Sequence, residues 1–544
     1  MLEVDGSIAN SSLTTVNNGA SLIGTGTIGN SQINSGSIFA PGALRTPGTS
    51  MTVKGNLAFQ SGALYLVYLN STASTFANVT ATASLAGNVD AVFSPGISMA
   101  KQYIILQSEG LNGTTFAGLT TNLSTPNFTA TLSYTAADVL LSVNAVLVQQ
   151  PGLNINQHNV AVALDNFFNG GGMLPPNFLT IFGLTGDSLA HALTQLDGEA
   201  ATGAERSAFE LTDEFLGLML DPFVNGRTGG GGAISFAPQQ QASFPPDIAL
   251  AYAAVLKAPP KPATPDQRWS AWGSAFGGSN TTRGDPVIGS TNVAARAYGF
   301  AGGMDYHFTL DTVAGFALAG GGTNWGLAQG LGGGRSDAVQ AGVYGTTRSG
   351  PAYLGAALAF ANHWMTTNRT AFAGDQLSAR FNAQSYGARL EAGYRYAAVL
   401  ALGVTPYAAV QTQDFHTPSY SEADLTGGGF GLSYNAMNAV DTRSELGARF
   451  DDLTTLGAMP LTLRARAAWA HDWVNNPSLN AVFQALPGAS FVVNGAALPK
   501  NSALASAGAE LHMTPAFTLA AKFDGEFAGG SQTYAGTATM RYTW

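Results

Sequence analysis

The sequence predicts an all-β fold: a 12-stranded antiparallel transmembrane β-barrel with a lumen helix, preceded by a β-solenoid of the parallel β-helix type. Three observations carry this expectation. About twelve runs of residues alternating with a period of two start near 268, 292, 312, 335, 352, 377, 403, 430, 459, 501, 515 and 531, and an even number of roughly ten-residue runs suits an outer-membrane barrel. Only 10% of the 544 residues are charged and 67 are Gly, a composition suited to short strands and tight turns. No apolar run approaches the ~20 residues of a membrane helix, so a closed barrel is the one spanning option.

Residues 1–150 read as short β segments broken by Gly, Asn and Ser. Between Gly19 and Gly42, Leu22, Ile28, Ile33 and Ile38 recur among small polar residues, as in a solenoid whose coils stack apolar residues inward. Met51 to Phe59 and Gly62 to Leu69 are more strongly β-forming, and Tyr103 to Leu106 and Val139 to Val148 close the region.

Residues 151–267 form a junction, linker and plug. From 187 to 222, Leu189, Ala192, Leu193, Leu196, Ala200, Ala204, Phe209, Phe215, Leu218 and Met219 recur at three- and four-residue steps, which is helical periodicity. Asp187 and Ser188 can cap its start, and Pro222 follows its end. A linker with Gly229 to Gly232, Pro245-Pro246 and Pro259-Pro260 comes next. Within it, Asp247 to Lys257 is a short helix whose end charges suit the macrodipole.

Residues 268–544 carry the barrel. In the last run, Tyr534, Gly536, Ala538, Met540, Tyr542 and Trp544 share one face, and Ala535, Thr537, Thr539, Arg541 and Thr543 the other. Phe517, Leu519, Ala521, Phe523 and Phe527 likewise oppose Thr518, Lys522, Asp524 and Glu526. Leu461, Leu463, Ala465, Ala467, Trp469 and Trp473 oppose Thr462, Arg464, Arg466 and Asp472. An Arg or Lys on the lipid face near the midplane costs about 2–4 kcal/mol. Arg443, Glu445, Arg449, Arg464, Arg466, Lys522, Asp524, Glu526 and Arg541 are therefore expected in the lumen. There they pair with one another or contact a threaded helix. Asn475 to Lys500 reads as a long external loop.

Several motifs resemble one family. They are Trp269 to Gly278, Tyr298-Gly299-Phe300 leading to Gly303-Met304-Asp305-Tyr306, Thr442 to Phe450, Pro487 to Phe491, and Arg541-Tyr542-Thr543-Trp544. In order over about 268–544, they resemble the translocator barrel of monomeric autotransporters, the type V secreted proteins. Leu193-Thr194-Gln195-Leu196-Asp197-Gly198-Glu199-Ala200 resembles the junction ahead of such barrels, and residues 36–69 the end of a β-helix passenger. The resemblance implies an outer-membrane protein of a Gram-negative bacterium that moves its own amino-terminal passenger to the cell surface, where a solenoid passenger can serve as an adhesin. It implies a lipid bilayer, the barrel assembly machinery and periplasmic chaperones as partners, a monomeric state, Tyr542 and Trp544 as the assembly signal, and residues 36–150 as a folding template. The plug is expected to be Asp247–Lys257, with 187–222 as the competing helix. Most members carry a far longer passenger, so residues 1–150 are expected to be a passenger remnant.

No cofactor, metal or enzymatic activity is expected. Gly186-Asp187-Ser188-Leu189 spells the GDSL block of a hydrolase family, but that chemistry needs a His base, an acid partner and an oxyanion hole. No α/β domain or Asp-x-x-His block accompanies it, so a surface esterase stands as the alternative, and a simple outer-membrane channel as another. His158, His191, His307, His363, His416, His471 and His512 are scattered without an i, i+4 pair. Gly320 to Gly322 and Gly332 to Gly334 lack the Lys-Ser/Thr of a phosphate loop. Asn225-Gly226 is a turn dipeptide and, in a few members of the family, such an Asn cleaves the passenger. A net charge of −10 argues against nucleic acid. Cysteine is absent, which excludes disulfides and thiolate chemistry; lineage bias and avoidance of cross-links during export both explain it. Met1-Leu2-Glu3-Val4-Asp5 lacks the features of a signal peptide, so the true start is expected upstream.

Overall fold

Residues 1–94, 99–220, 268–309, 311–397 and 402–544 are described by a computed structural model. The amino-terminal part is a parallel β-helix with three faces. One face stacks Leu2–Glu3, Ser21–Gly24, Ile38–Pro41, Leu64–Leu69, Asn88–Phe93 and Gly118–Thr121. Its inner ladder runs Leu22, Phe39, Tyr65, Val89, each buried. The other faces carry the ladders Ile28, Val53, Val79 and Val16, Ile33, Phe59. Each coil covers the apolar residues of the last, which is what lets so short a repeat build a core. Leu22, Ile28 and Ile33 point inward as expected, but Ile38 does not. Ile38 pairs with Ser21 and Phe39 with Leu22, so Phe39 takes the inner place. At the far end the hairpin Phe128–Tyr134 and Asp138–Ala145 joins the stack antiparallel and ends it.

Four helices follow: α1 (Ile155–Asn169), α2 (Pro176–Phe182), α3 (Gly186–Leu196) and α4 (Gly203–Leu220). The expected single helix over 187–222 is broken at Asp197-Gly198 because Gly198 is left-handed, with φ +73°. The side chain of Asn154 caps α1 and Gln157 completes a capping box. The cap of α3 is Thr185, without a side-chain bond. Asp187 and Ser188 therefore lie inside the helix and are not its caps. Asp187 still sits in the first turn, where the macrodipole favours an acid. The helix expected at Asp247–Lys257 and the Asn225-Gly226 dipeptide lie outside the described residues.

Twelve long antiparallel strands form the carboxy-terminal barrel: β1 (Trp269–Thr282), β2 (Val293–His307), β3 (Thr312–Leu327), β4 (Gly333–Ser349), β5 (Ala352–Thr370), β6 (Gln376–Tyr394), β7 (Gly403–Thr417), β8 (Met437–Leu456), β9 (Met459–Val474), β10 (Asn501–His512), β11 (Phe517–Ala528) and β12 (Ser531–Thr543). Pairing of β12 with β1, from Ser270↔Thr543 to Thr282↔Ser531, closes the ring and leaves no open edge. Along β12 the face of Tyr534, Ala538, Met540, Tyr542 and Trp544 is exposed, while Ala535, Thr537 and Thr539 are buried.

The two barrel ends differ. At one, short turns join the strands and Trp269 and Trp544 exchange backbone hydrogen bonds. At the other, the β7–β8 and β9–β10 loops fold together. Tyr420–Ser421, Leu432–Tyr434, Ser478–Phe483 and Ser490–Asn494 form a four-stranded sheet. The run expected to start strand eight near 430 belongs to this loop sheet, and β8 itself starts at Met437. Helices α1–α3 fill the space between the loop sheet and the β-helix hairpin. One continuous apolar core runs from Val4 through these helices to Ala496.

Candidate functional site

Helix α4 lies inside the barrel. Its 18 residues rise about 27 Å, close to the ~25 Å apolar band of an outer-membrane barrel. It enters at the loop end, where Gly203 abuts Trp325, and ends near Gly355 toward the turn end. Leu211, Phe215, Leu216, Leu218 and Met219 pack on a wall of small residues from β1 to β5, including Ala297, Ala301, Ala317, Ala338 and Ala357. Small side chains there make room for the helix. A Cβ on Gly342 would come within 2.6 Å of the Met219 sulfur. Among the described residues, the lumen helix is thus the second half of the competing sequence candidate, 187–222; the preferred Asp247–Lys257 lies outside the described residues. Both stretches have helical periodicity, and periodicity alone does not say which one meets a wall of alanine and glycine.

The other half of the wall is charged. Arg443 binds Asp472 at 2.6 Å and Glu526 at 2.8 Å. Arg389 binds Glu445 at 2.8 Å and Glu391 at 2.9 Å. Arg466 bridges Glu445 at 3.2 Å and Asp524 at 3.4 Å, and Lys522 holds Asp524 at 2.9 Å. Arg449 pairs with Glu391, Arg464 with Glu510, and Arg541 with Asp305 at 2.8 Å. All nine charged residues expected in the lumen face inward and enter this network. Arg389, Glu391 and Glu510 are partners that sequence reasoning did not name, and Asp305 and Asp472, which it named in other roles, were not expected as lumen partners. Their signal was present, since Arg389 and Glu391 sit two apart on the inward face of β6. Between α4 and this wall lies a cavity of about 190 Å³. The helix reaches the wall through Arg206, which donates to the Ser531 hydroxyl at 2.9 Å, and through Asp213, which accepts from Gln411 and, at 2.6 Å, from Gln413.

Above the strand ends, the junction between α3 and α4 is gripped at several points. The Glu199 carboxylate accepts from the Thr291 amide and hydroxyl, both at 2.7 Å. The Ala200 carbonyl accepts from the Trp325 indole at 2.8 Å and the Gly198 carbonyl from Tyr434 at 3.3 Å. Arg369 donates to the Gln195 carbonyl at 2.9 Å and holds Glu422 with two bonds of 2.7 Å. Gly198 is needed twice over: its φ is positive, and a Cβ would strike the Tyr434 hydroxyl and Leu432. Burial pushes the Glu199 carboxyl up to about 7, against the pull of its bonds to Thr291. Burial and the neighbouring Glu199 also raise Asp197.

Helices α1–α3 dock on the loop sheet. Asn156 donates to the Asn494 carbonyl at 2.9 Å and accepts from the Asn494 amide at 3.0 Å. Phe178 packs on Phe430 and Phe483 at centroid distances of 4.8 and 5.3 Å. One turn on, Phe182 stacks on Phe128 of the β-helix hairpin at 4.5 Å. Ser188 lies exposed at the start of α3, beside Asp187 and one turn before His191, both also exposed, and no hydrogen bond among the described residues engages its hydroxyl. Among the described residues, no group of three His, Asp or Glu is arranged to hold a metal ion.

A closed antiparallel barrel with an apolar exterior, a charged lumen and a helix threaded through it defines a plugged transmembrane β-barrel of the outer-membrane type. Residues 271–524 match the family model described as the autotransporter beta-domain. This part of the chain is therefore an autotransporter translocator domain. Similar solved structures include the translocator domain of autotransporter NalP from Neisseria meningitidis, with 12% identity, TM-score 0.42, and 54% of this chain and 97% of that chain covered. The beta domain of the Bordetella autotransporter BrkA has 17% identity and TM-score 0.40, covering 51% and 100%. The transport unit of AIDA-I from Escherichia coli has 14% identity and TM-score 0.37, covering 55% and 97%. No curated protein sequence matches the chain.

Proposed function

We propose that this barrel moves residues 1–202 of its own chain through the outer membrane, keeps α4 in its lumen and then holds the β-helix at the cell surface. The observation that carries the reading is the path of the chain: the β-helix beyond the loop end continues through α1–α3 into α4, which occupies the lumen. In this reading the loop end faces outward, as long loops do in such barrels, and the barrel assembly machinery and periplasmic chaperones deliver a monomer whose signal includes Tyr542 and Trp544. The passenger crosses as an unfolded hairpin and folds outside from its barrel-proximal end. Docking of α2 on Phe430 and Phe483 supports that order, because a seven-residue helix is not stable alone.

The displayed β-helix acts as an adhesive surface and not as an enzyme. The exposed position of Ser188 on a helix surface, with its hydroxyl hydrogen-bonded to no described residue, favours this over a GDSL esterase, and the filled lumen favours it over an open channel. Extracellular protease added to intact cells tests the main reading. It should cleave residues 1–146 when they are unfolded by mutation and find them in the full-length wild type at the surface. A chain shortened by β12 should leave them protected inside. Passenger reachable only after outer-membrane rupture in the wild type would overturn the reading. Hydrolysis of a short-chain ester by intact cells, lost on Ser188→Ala, would favour the esterase.

A further inference from the structure

Among the described residues, three basic side chains on barrel strands point outward: Arg296 on β2, Arg335 on β4 and Arg380 on β6. The other strand arginines and Lys522 point into the lumen or sit at strand ends. The three fall in one register row. Arg296 pairs with Asn324, Asn324 with Arg335, Arg335 with Thr366, and Thr366 with Arg380. Cross-strand partners share a face, so Arg, Asn, Arg, Thr, Arg form a continuous outward band across five neighbouring strands, which climbs toward the loop end with the strand tilt. No hydrogen bond or ion pair within the described residues engages any of the three guanidinium groups.

The height of the row tells what it meets. One residue pair toward the turn end lie Tyr298, Gly322, Asp337, Trp364 and Asn382, and Tyr298 and Trp364 are exposed. Tyr and Trp mark the border between hydrocarbon and headgroups. Below them come lipid-facing Phe300, Leu318 and Val339. Arg296 thus lies at headgroup level on the loop side and Arg335 and Arg380 at or just above it, where the cost of a cation falls to about 0–1 kcal/mol. Successive arginines are two strands apart, about 9.6 Å at a strand spacing of ~4.8 Å. The guanidinium fork suits bidentate binding of phosphate oxygens, and Asn324 and Thr366 place neutral hydrogen-bonding groups between. Asp337, beside Arg335 and one pair nearer the bilayer, is the single outward carboxylate next to the row; it leaves the band net positive.

We propose that Arg296, Arg335 and Arg380 form a binding site for the headgroup of an outer-leaflet glycolipid carrying two or more phosphates, roughly 10 Å apart. The side of the membrane rests on the orientation given under Proposed function; the phosphate-binding row itself does not. Such a lipid would press on the strands that carry the small-residue seat of α4, and so brace the wall that holds the helix.

The full chain in phosphatidylcholine nanodiscs, doped with a bisphosphorylated glycolipid or with the same glycolipid stripped of phosphate, tests this by native mass spectrometry of retained lipid. The wild type should retain the bisphosphorylated form at least about tenfold better, a difference near 1.4 kcal/mol. The combination Arg296→Gln, Arg335→Gln, Arg380→Gln should erase the preference. Arg335→Gln alone should weaken it, which keeps the test open if the triple variant fails to show heat-modifiable migration. Inorganic phosphate in millimolar excess should not compete. Equal retention of the two lipids by the wild type, unchanged preference in the variants, or full competition by inorganic phosphate would each overturn the proposal. The nanodisc assay involves no translocation, so its failure would leave the secretion reading untouched.

Discussion

Phe178 on α2 meets Phe430 in the β7–β8 loop of the barrel with ring centroids 4.8 Å apart. The contact joins the amino-terminal half of the chain to a loop more than 250 residues away, and Phe178 is fully buried. Phe182, on the next turn, belongs to the β-helix side through Phe128. Helix α2 is therefore the hinge pin between passenger and barrel. Phe178→Ala should cost roughly 3–5 kcal/mol. The loss should appear in hydrogen exchange of the purified full chain as reduced protection of α1–α3, with the barrel amides unchanged. Loss spread equally over the barrel would contradict this division.

Arg369 and Glu422 are a buried pair, each side chain 3% exposed. Removing one partner strands a charge in the apolar core at the barrel mouth. Arg369→Met or Glu422→Leu alone should destabilise the junction by about 3–5 kcal/mol, and the double change by less than the sum. Denaturant melts of the four proteins measure the coupling. Simple additivity would show that the pair does not act as a unit.

The junction should tighten in mild acid. The Glu199 carboxyl lies near 7 in the folded chain against an ordinary 4.5. The folded state therefore holds a proton that the unfolded state has lost between those values, so stability is fully present below about pH 4.5 and is lost as pH rises through 7. The difference amounts to about 3 kcal/mol. The direction for Asp197 is the same. Exchange of the first turn of α4, corrected for intrinsic rates, should be slower at pH 5.5 than at 7.5. Glu199→Gln should shrink that difference, and equal protection at both pH values in the wild type would refute it.

Trp544 closes the barrel seam by exchanging backbone hydrogen bonds with Trp269 and stacks on Tyr542 at 5.7 Å. Deleting Trp544 should lower the amount of inserted barrel in cells. Heat-modifiable migration on gels and surface passenger quantify it. Wild-type levels of both would show that the terminal aromatic residue is dispensable for assembly.

The barrel was legible in the sequence because lipid imposes a period of two on every strand, and eleven of the twelve starts fall within about three residues of those seen. The exception is instructive. Phe430 to Tyr434 alternates like a barrel strand, and Leu432–Tyr434 does form a strand, but in the loop sheet; β-propensity does not say which sheet a strand joins. The inward direction of Arg443, Arg466 and Lys522 followed from the same alternation. The pairing of Arg389 with Glu445 and of Glu391 with Arg449 did not, because pairing across strands depends on register. Docking of Phe178 on Phe430 left no local signal, since a seven-residue helix and a loop share no sequence pattern. The lumen helix stayed ambiguous because its seat, the alanine and glycine wall of β1–β5, is formed by the barrel and not by the helix.

The most direct test of passenger display uses the absence of cysteine in the chain. Single changes Ser12→Cys, on the exposed β-helix surface, and Ser349→Cys, at the turn end of β4, can each be probed with a membrane-impermeant maleimide on intact cells. The account predicts that Ser12→Cys labels on intact cells, while Ser349→Cys labels only after the outer membrane is permeabilised. Labelling of Ser349→Cys but not Ser12→Cys on intact cells would contradict it.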